Sequence, residues 1–146
     1  IVVSSAYKGE DENTIEYITA KESNFSSDIL FIPYVELGDL NSIYSASELF
    51  VFPSLSEGFG LPIIEAMASG VPVITSNTTS LPEIGGDAVI TISPTDVDKL
   101  ALAMHNVLTD KNLQEKMIKS GLARAREFTW SKTVELTENL YQETLN

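Results

Sequence analysis

Apolar residues in this chain follow two different periods. Short runs rich in β-branched and aromatic residues, of which Phe50-Val51-Phe52 and Val73-Ile74 are the clearest, are continuous rather than alternating. That is the pattern of parallel strands covered on both faces. The runs predict strands over 1–4, 28–32, 49–53, 72–75 and 88–92. Between them, 11–21, 37–45 and 62–68 carry apolar positions at helical spacing. In the first of these, Ile15, Ile18 and Glu22 make a mixed face, which predicts a surface helix. The last third reads as helix throughout, over 96–108, 112–126 and 130–144, with Thr95 and Thr129 as expected N-caps of the first and last. Alternating strand and helix followed by helices predicts an α/β fold. The expected form is a Rossmann-like, three-layer domain with a largely parallel sheet and a helical C-terminal tail.

Length and composition narrow the function classes. At 146 residues the chain fits one domain with a core of its own. Nine Lys and Arg against 21 Asp and Glu give a net charge of −12. With no basic stripe, the chain is a poor match for nucleic acid or for an anionic lipid surface. It has no cysteine, so disulfides and thiolate metal sites are excluded, and a cytoplasmic location is the expectation. No apolar run approaches the roughly 18 residues that span a bilayer, and no signal peptide is visible. With a single histidine, His105, set mid-helix and read as a surface residue, no metal and no cofactor are expected. Glu10-Asp11-Glu12 reads as a solvated loop and helix start.

The informative stretch runs from Phe52 to Ala68, FPSLSEGFGLPIIEAMA. A buried strand ends at Phe52, and a polar loop follows in which Gly58 and Gly60 bracket Phe59. Pro62 then opens a helix, where proline is favoured. The loop therefore lies at the carboxyl end of a strand, the edge where open α/β sheets bind ligands. Free amides at the helix start, with aligned peptide dipoles behind them, suit an anion such as a diphosphate. The two glycines either let the backbone approach that anion or serve a tight turn. Glu57 in the loop and Glu65 about one turn into the helix flank it. Carboxylates accept hydrogen bonds from vicinal hydroxyls and repel phosphate, so sugar and ribose hydroxyls are their expected partners. Phe59 reads equally as a loop anchor or a sugar contact, and Glu83 ahead of Ile84-Gly85-Gly86 as helix-end and turn chemistry.

This segment resembles the Glu-x₇-Glu signature of the large retaining glycosyltransferase family 4, whose two-domain architecture is called GT-B. The likeness extends to Phe50-Val51-Phe52-Pro53-Ser54 before it and Ala66-Met67-Ala68-Ser69-Gly70-Val71-Pro72-Val73-Ile74 after it. Ser80-Leu81-Pro82-Glu83-Ile84 and Phe128-Thr129-Trp130 follow in family order. Nearly the whole of 1–146 resembles that family's C-terminal, donor-binding domain. The resemblance implies that Glu65 binds the ribose hydroxyls of a nucleotide sugar, and that Glu57 contacts the transferred sugar as the catalytic-site carboxylate. It implies that Gly58, Phe59, Gly60 and Leu61 meet sugar and diphosphate. The base would lie beside Tyr34 and Val35, and the loop containing Thr78 would line the phosphate side. In family members the final helix crosses back toward the acceptor domain.

One departure bears on activity. The family's Arg and Lys pair, which neutralises the leaving diphosphate, sits on a first strand–helix unit that nothing here matches. Lys8 and Lys21 are the only basic residues before position 99. The chain is thus expected to lack that unit and the N-terminal acceptor domain, and to be inactive alone, because stabilising a departing charge is a large catalytic term. The implied reaction is transfer of a sugar from a nucleotide diphosphate to an acceptor hydroxyl with retention. The implied setting is polysaccharide or glycoconjugate synthesis, which leaves room for a full-length protein peripheral on the inner face of a membrane. The alternative is a non-catalytic nucleotide-sugar-binding module or a subunit of a split enzyme. A GT-B-type epimerase is disfavoured by the full loop context, and a dinucleotide oxidoreductase by the absence of G-x-G-x-x-G after the first strand.

Overall fold

The computed structural model describes residues 2–3, 15–32 and 35–145. The chain forms two compact units, Ile1–Leu40 and Asn41–Asn146.

In the first unit, β1 (Val2–Val3) and β2 (Phe31–Ile32) pair in parallel, Val2 opposite Phe31 and Val3 opposite Ile32. Helix α1 (Ile15–Glu22) lies between them in sequence, and Ile15 and Ile18 are exposed, as the mixed face predicts. Positions 11–14 of the expected helix lie outside the described residues. Tyr17 on α1 packs against Phe31 with ring centroids 5.2 Å apart. The strand expected over 28–32 is shorter because Ser26–Asp28 forms a 3-10 turn, closed by the Asp28 amide donating to the Phe25 carbonyl at 2.9 Å. Helix α2 (Leu37–Ala46) carries the chain from the first unit into the second.

The second unit is built on three parallel strands in the order β3 (Phe50–Phe52), β4 (Val73–Ser76), β5 (Ile90–Ile92). Ile74 stands opposite Val51 on one side and Ile90 on the other. The central strand β4 is buried at all four positions, which is why its sequence is continuously apolar before it turns to hydroxyls. Helices α3 (Leu61–Ala68), α5 (Val97–Thr109), α6 (Lys111–Ala125) and α7 (Trp130–Leu145) fall where the periodicity predicts. Leu100, Ala103, Met104 and Val107 on α5 are spaced i, i+3, i+4, i+7. They pack with Ile74, Ile92, Leu113 and Met117 into one cluster. Burying a side chain such as Ile74 contributes about 1.5–3 kcal/mol. The result is an α/β, Rossmann-like fold with parallel strands and a helical tail.

Two local expectations need correction. A short helix, α4 (Leu81–Gly85), and a 3-10 turn over Gly86–Ala88 precede β5, so that strand starts at Ile90 rather than at 88. The N-cap of α5 is Asp96, not Thr95: the Asp96 carboxylate accepts from the Lys99 amide at 3.0 Å, while the Thr95 hydroxyl pairs with Ser93. Asp110 caps α6 by accepting from the amides of Asn112 and Leu113, a cap the sequence reading did not single out. Thr129 does cap α7, accepting from the Lys132 amide at 3.2 Å.

Candidate functional site: the β3–α3 loop

The loop from Pro53 to Gly60 joins the carboxyl end of β3 to α3. Gly60 is the N-cap of α3, with φ +114°, ψ 41° and no side-chain cap, and Pro62 follows in the first turn. A side chain at Gly60 would be strained by that φ, and a Cβ there would stand 2.8 Å from Leu81 Cδ2. At Gly58, by contrast, a Cβ would meet nothing within 4 Å. The far end of α3 closes on Gly70 (φ +75°). The Gly70 amide donates to Met67 O and that of Val71 to Ala66 O, both at 3.1 Å, which satisfies the carbonyls of the last turn.

What shapes the loop is a series of hydroxyls at the end of β4. Thr75 Oγ1 donates to Phe52 O at 2.9 Å, and Ser76 Oγ donates to Ser54 O. Thr78 Oγ1 reaches Ser54 O at 3.3 Å and Leu55 O at 3.2 Å. Ser80 Oγ reaches Glu57 O at 3.1 Å and Phe59 O at 2.8 Å. Thr79, held at φ +51°, accepts from the Glu57 amide at 3.1 Å. A β-branched residue at positive φ is strained, and here the strain coincides with the contact that fixes Glu57. These hydroxyls occupy the loop's carbonyls. Among the described residues nothing accepts from the amides of Gly58, Phe59, Gly60 or Leu61. The tip of α3 therefore presents unpaired donors with a helix dipole behind them, an arrangement complementary to an anion.

The two carboxylates bracket these donors along the chain, and both are partly buried. Among the described residues neither forms an ion pair, and the Glu57 carboxylate has no hydrogen-bond partner. Glu65 Oε2 accepts from the Tyr44 hydroxyl at 3.2 Å. Tyr44 is 7% exposed, and its ring meets Phe50 edge-on at 5.3 Å. Burial first, then the charge and hydrogen bond of Glu65, push the Tyr44 phenol well above its ordinary value of 10.0. Sequence reasoning did not single out Tyr44. It also took the loop after β4 as a phosphate lining and missed its hold on the β3–α3 loop.

Phe59 is 46% exposed and rests edge-on against Phe128 at 6.0 Å. Arg124 stacks over Phe128 at 4.9 Å. It donates to Ile84 O at 3.0 Å and Glu83 O at 2.7 Å, and pairs with Glu127. Beside Phe59, an apolar groove of about 730 Å³ runs between α3 and α7, lined by Leu61, Ile64, Phe128, Trp130 and Leu136 among others. Val35 follows β2 in the first unit, while Tyr34 lies outside the described residues. His105 is exposed on α5. No described helix is long and apolar enough to cross a membrane.

The sequence profile of the family described as "Glycosyl transferases group 1" matches residues 5–124. The chain belongs to this glycosyltransferase family. It is 38% identical over 141 residues to the O-antigen chain mannosyltransferase B of Escherichia coli, covering 97% of this chain and 37% of that protein. It is 37% identical over 133 residues to the serotype-specific mannosyltransferase WbdA of Escherichia coli, covering 90% of this chain and 16% of that one. The chain thus spans well under half the length of these curated glycosyltransferases. Among solved structures, a sucrose-phosphate synthase from Thermosynechococcus elongatus superposes with a TM-score of 0.81 at 27% identity, over 98% of this chain and 37% of that one. The Anabaena protein Alr3699/HepE, crystallised with UDP-glucose, has the same fold, with a TM-score of 0.75 at 20% identity over 96% of this chain and 40% of that one.

Proposed function

We propose that this group 1 glycosyltransferase chain binds a nucleoside diphosphate sugar and presents it for transfer, with retention of anomeric configuration, to an acceptor hydroxyl. The amides of Gly58, Phe59, Gly60 and Leu61 receive the diphosphate and the sugar. Glu65 accepts from the ribose hydroxyls, and Glu57 orients the transferred sugar. Thr78 and its neighbours line the phosphate side. The observation that carries the reading is the group of unpaired amides at the tip of α3, with a carboxylate on each side of it in sequence.

Glu57 is assigned to positioning the donor sugar rather than to attack on the anomeric carbon. In the proposed mechanism the leaving phosphate assists the incoming hydroxyl on the same face. Stabilising the leaving diphosphate requires basic groups, and transfer requires an acceptor-binding domain. The relatives at 38% and 37% identity are named mannosyltransferases, so a mannosyl donor is the first to try. No metal or other cofactor is assigned.

Calorimetric titration with UDP, GDP and ADP tests this reading. One of the three should bind, and Glu65→Ala should weaken it by about 1–3 kcal/mol, the effect of losing one charged hydrogen-bonding partner. Unchanged affinity in that variant would remove Glu65 from the site. Turnover should require the acceptor domain. A protein that binds the donor yet never transfers, even with that domain present, would be a binding module instead.

A further inference from the structure

Glu65 does not hold its own side-chain orientation: among the described residues the one hydrogen-bonding partner of its carboxylate is Tyr44, which sits 21 positions earlier on α2. Tyr44 is fixed before any ligand arrives. It is 7% exposed, its ring is held edge-on by Phe50 at 5.3 Å, and Phe50 in turn stacks on Phe52 at 5.9 Å, where β3 runs into the loop. A glutamate on a helix surface has three rotatable bonds, and that freedom is lost when it grips a ligand. A rigid donor that already holds one carboxylate oxygen removes part of that cost. The geometry points to Tyr44 as a positioning residue that sets the Glu65 carboxylate for a vicinal diol on the bound nucleotide.

This inference rests on the reading of Glu65 as the ribose ligand. An ionised carboxylate offers about four acceptor sites, and Tyr44 occupies one on Oε2, so about three remain for hydroxyls. Tyr44 itself has too little exposed surface to contact the ligand broadly, and acts through Glu65. Protonation follows the same logic: the buried phenol next to a carboxylate stays protonated and therefore stays a donor. A purely structural role would make Tyr44 a packing residue whose hydroxyl has no bearing on which nucleotide binds.

The experiment separates these roles through the ligand. Of UDP, GDP and ADP, the tightest binder is compared with its dideoxyribose analogue, which lacks both ribose hydroxyls, in the parent protein, Tyr44→Phe and Glu65→Gln. The expected result for Tyr44→Phe is about tenfold weaker binding of the ribose form, from loss of one hydrogen bond to a charged group, and unchanged binding of the dideoxy form. Equal weakening of both forms, or of neither, would overturn the positioning role. Glu65→Gln tests the underlying reading separately. If that variant still distinguishes ribose from dideoxyribose as the parent does, the ribose assignment fails whatever Tyr44 does. If it loses the distinction while Tyr44→Phe keeps it, only the inference about Tyr44 fails. Should Tyr44→Phe not fold, carbon NMR of the Tyr44 ring in the parent protein decides: its Cζ resonance should move with the ribose form and not with the dideoxy form. No movement with either would overturn the proposal.

Discussion

Gly58→Ala and Gly60→Ala, two positions apart, are expected to fail in opposite ways. At Gly60 the added methyl meets two penalties. Its φ of +114° is outside the range L-residues adopt readily, which costs about 1–2 kcal/mol. Its Cβ would also stand 2.8 Å from Leu81 Cδ2, and Leu81 is 0% exposed, so relief requires repacking at about 1–3 kcal/mol. Together these predict a loss of about 2–5 kcal/mol, or a fall in Tm of about 6–16 °C for a chain of 146 residues. At Gly58 the Cβ has no neighbour within 4 Å, so stability should stay within about 1 kcal/mol of the parent. That open space is where the proposed ligand approaches the loop, so Gly58→Ala should instead reduce nucleotide affinity. Urea titration measures the first effect and calorimetry the second. Gly60→Ala as stable as Gly58→Ala would refute the argument that the turn into α3 depends on a missing side chain. Parent-like affinity in Gly58→Ala would refute the close approach of the ligand.

Two further outcomes follow from burial and titration. Ile74→Ala, at the centre of the three-stranded sheet and 0% exposed, should cost about 2–5 kcal/mol in urea unfolding; a cost below 1 kcal/mol would contradict its place in the core. The Tyr44 phenol is pushed above its unfolded value of 10.0, so its contribution to stability is fully present below pH 10 and is lost as pH rises through the folded value. Tyr44→Phe should therefore lose less stability than the parent between neutral pH and pH 11, and an identical decline in the two would count against the burial of that hydroxyl.

Much of this fold was legible because its strands and long helices carry strong periodic signals. Val73-Ile74 could only be a covered strand, and the spacing of Leu100, Ala103, Met104 and Val107 could only serve one helical face. Helix α4 was missed because five residues are too few to display a period, and Pro82 and the glycines at 85 and 86 read as a turn. The choice of Thr95 over Asp96 as cap failed because two cap-capable residues are adjacent. The carboxylate takes the helix amide, and its pairing with Lys99 at 2.8 Å favours it further. The β3–α3 loop stood out through Gly58, Gly60, Pro62 and the two glutamates. What holds it did not, because pairing across 22 or 23 positions leaves no local trace. The signal that could have found it is the density of hydroxyls in Thr75-Ser76-Asn77-Thr78-Thr79-Ser80 directly after a buried strand. Tyr44 carried no such signal, since its partner is 21 residues away on another helix.

Amide NMR of the protein during titration with the tightest-binding nucleoside diphosphate asks the central question most directly. Nitrogen and proton shifts should change most at Gly58, Phe59, Gly60 and Leu61, the unpaired donors at the tip of α3. If those four signals stay still while the nucleotide saturates the protein, the diphosphate is held elsewhere and the proposed site is wrong.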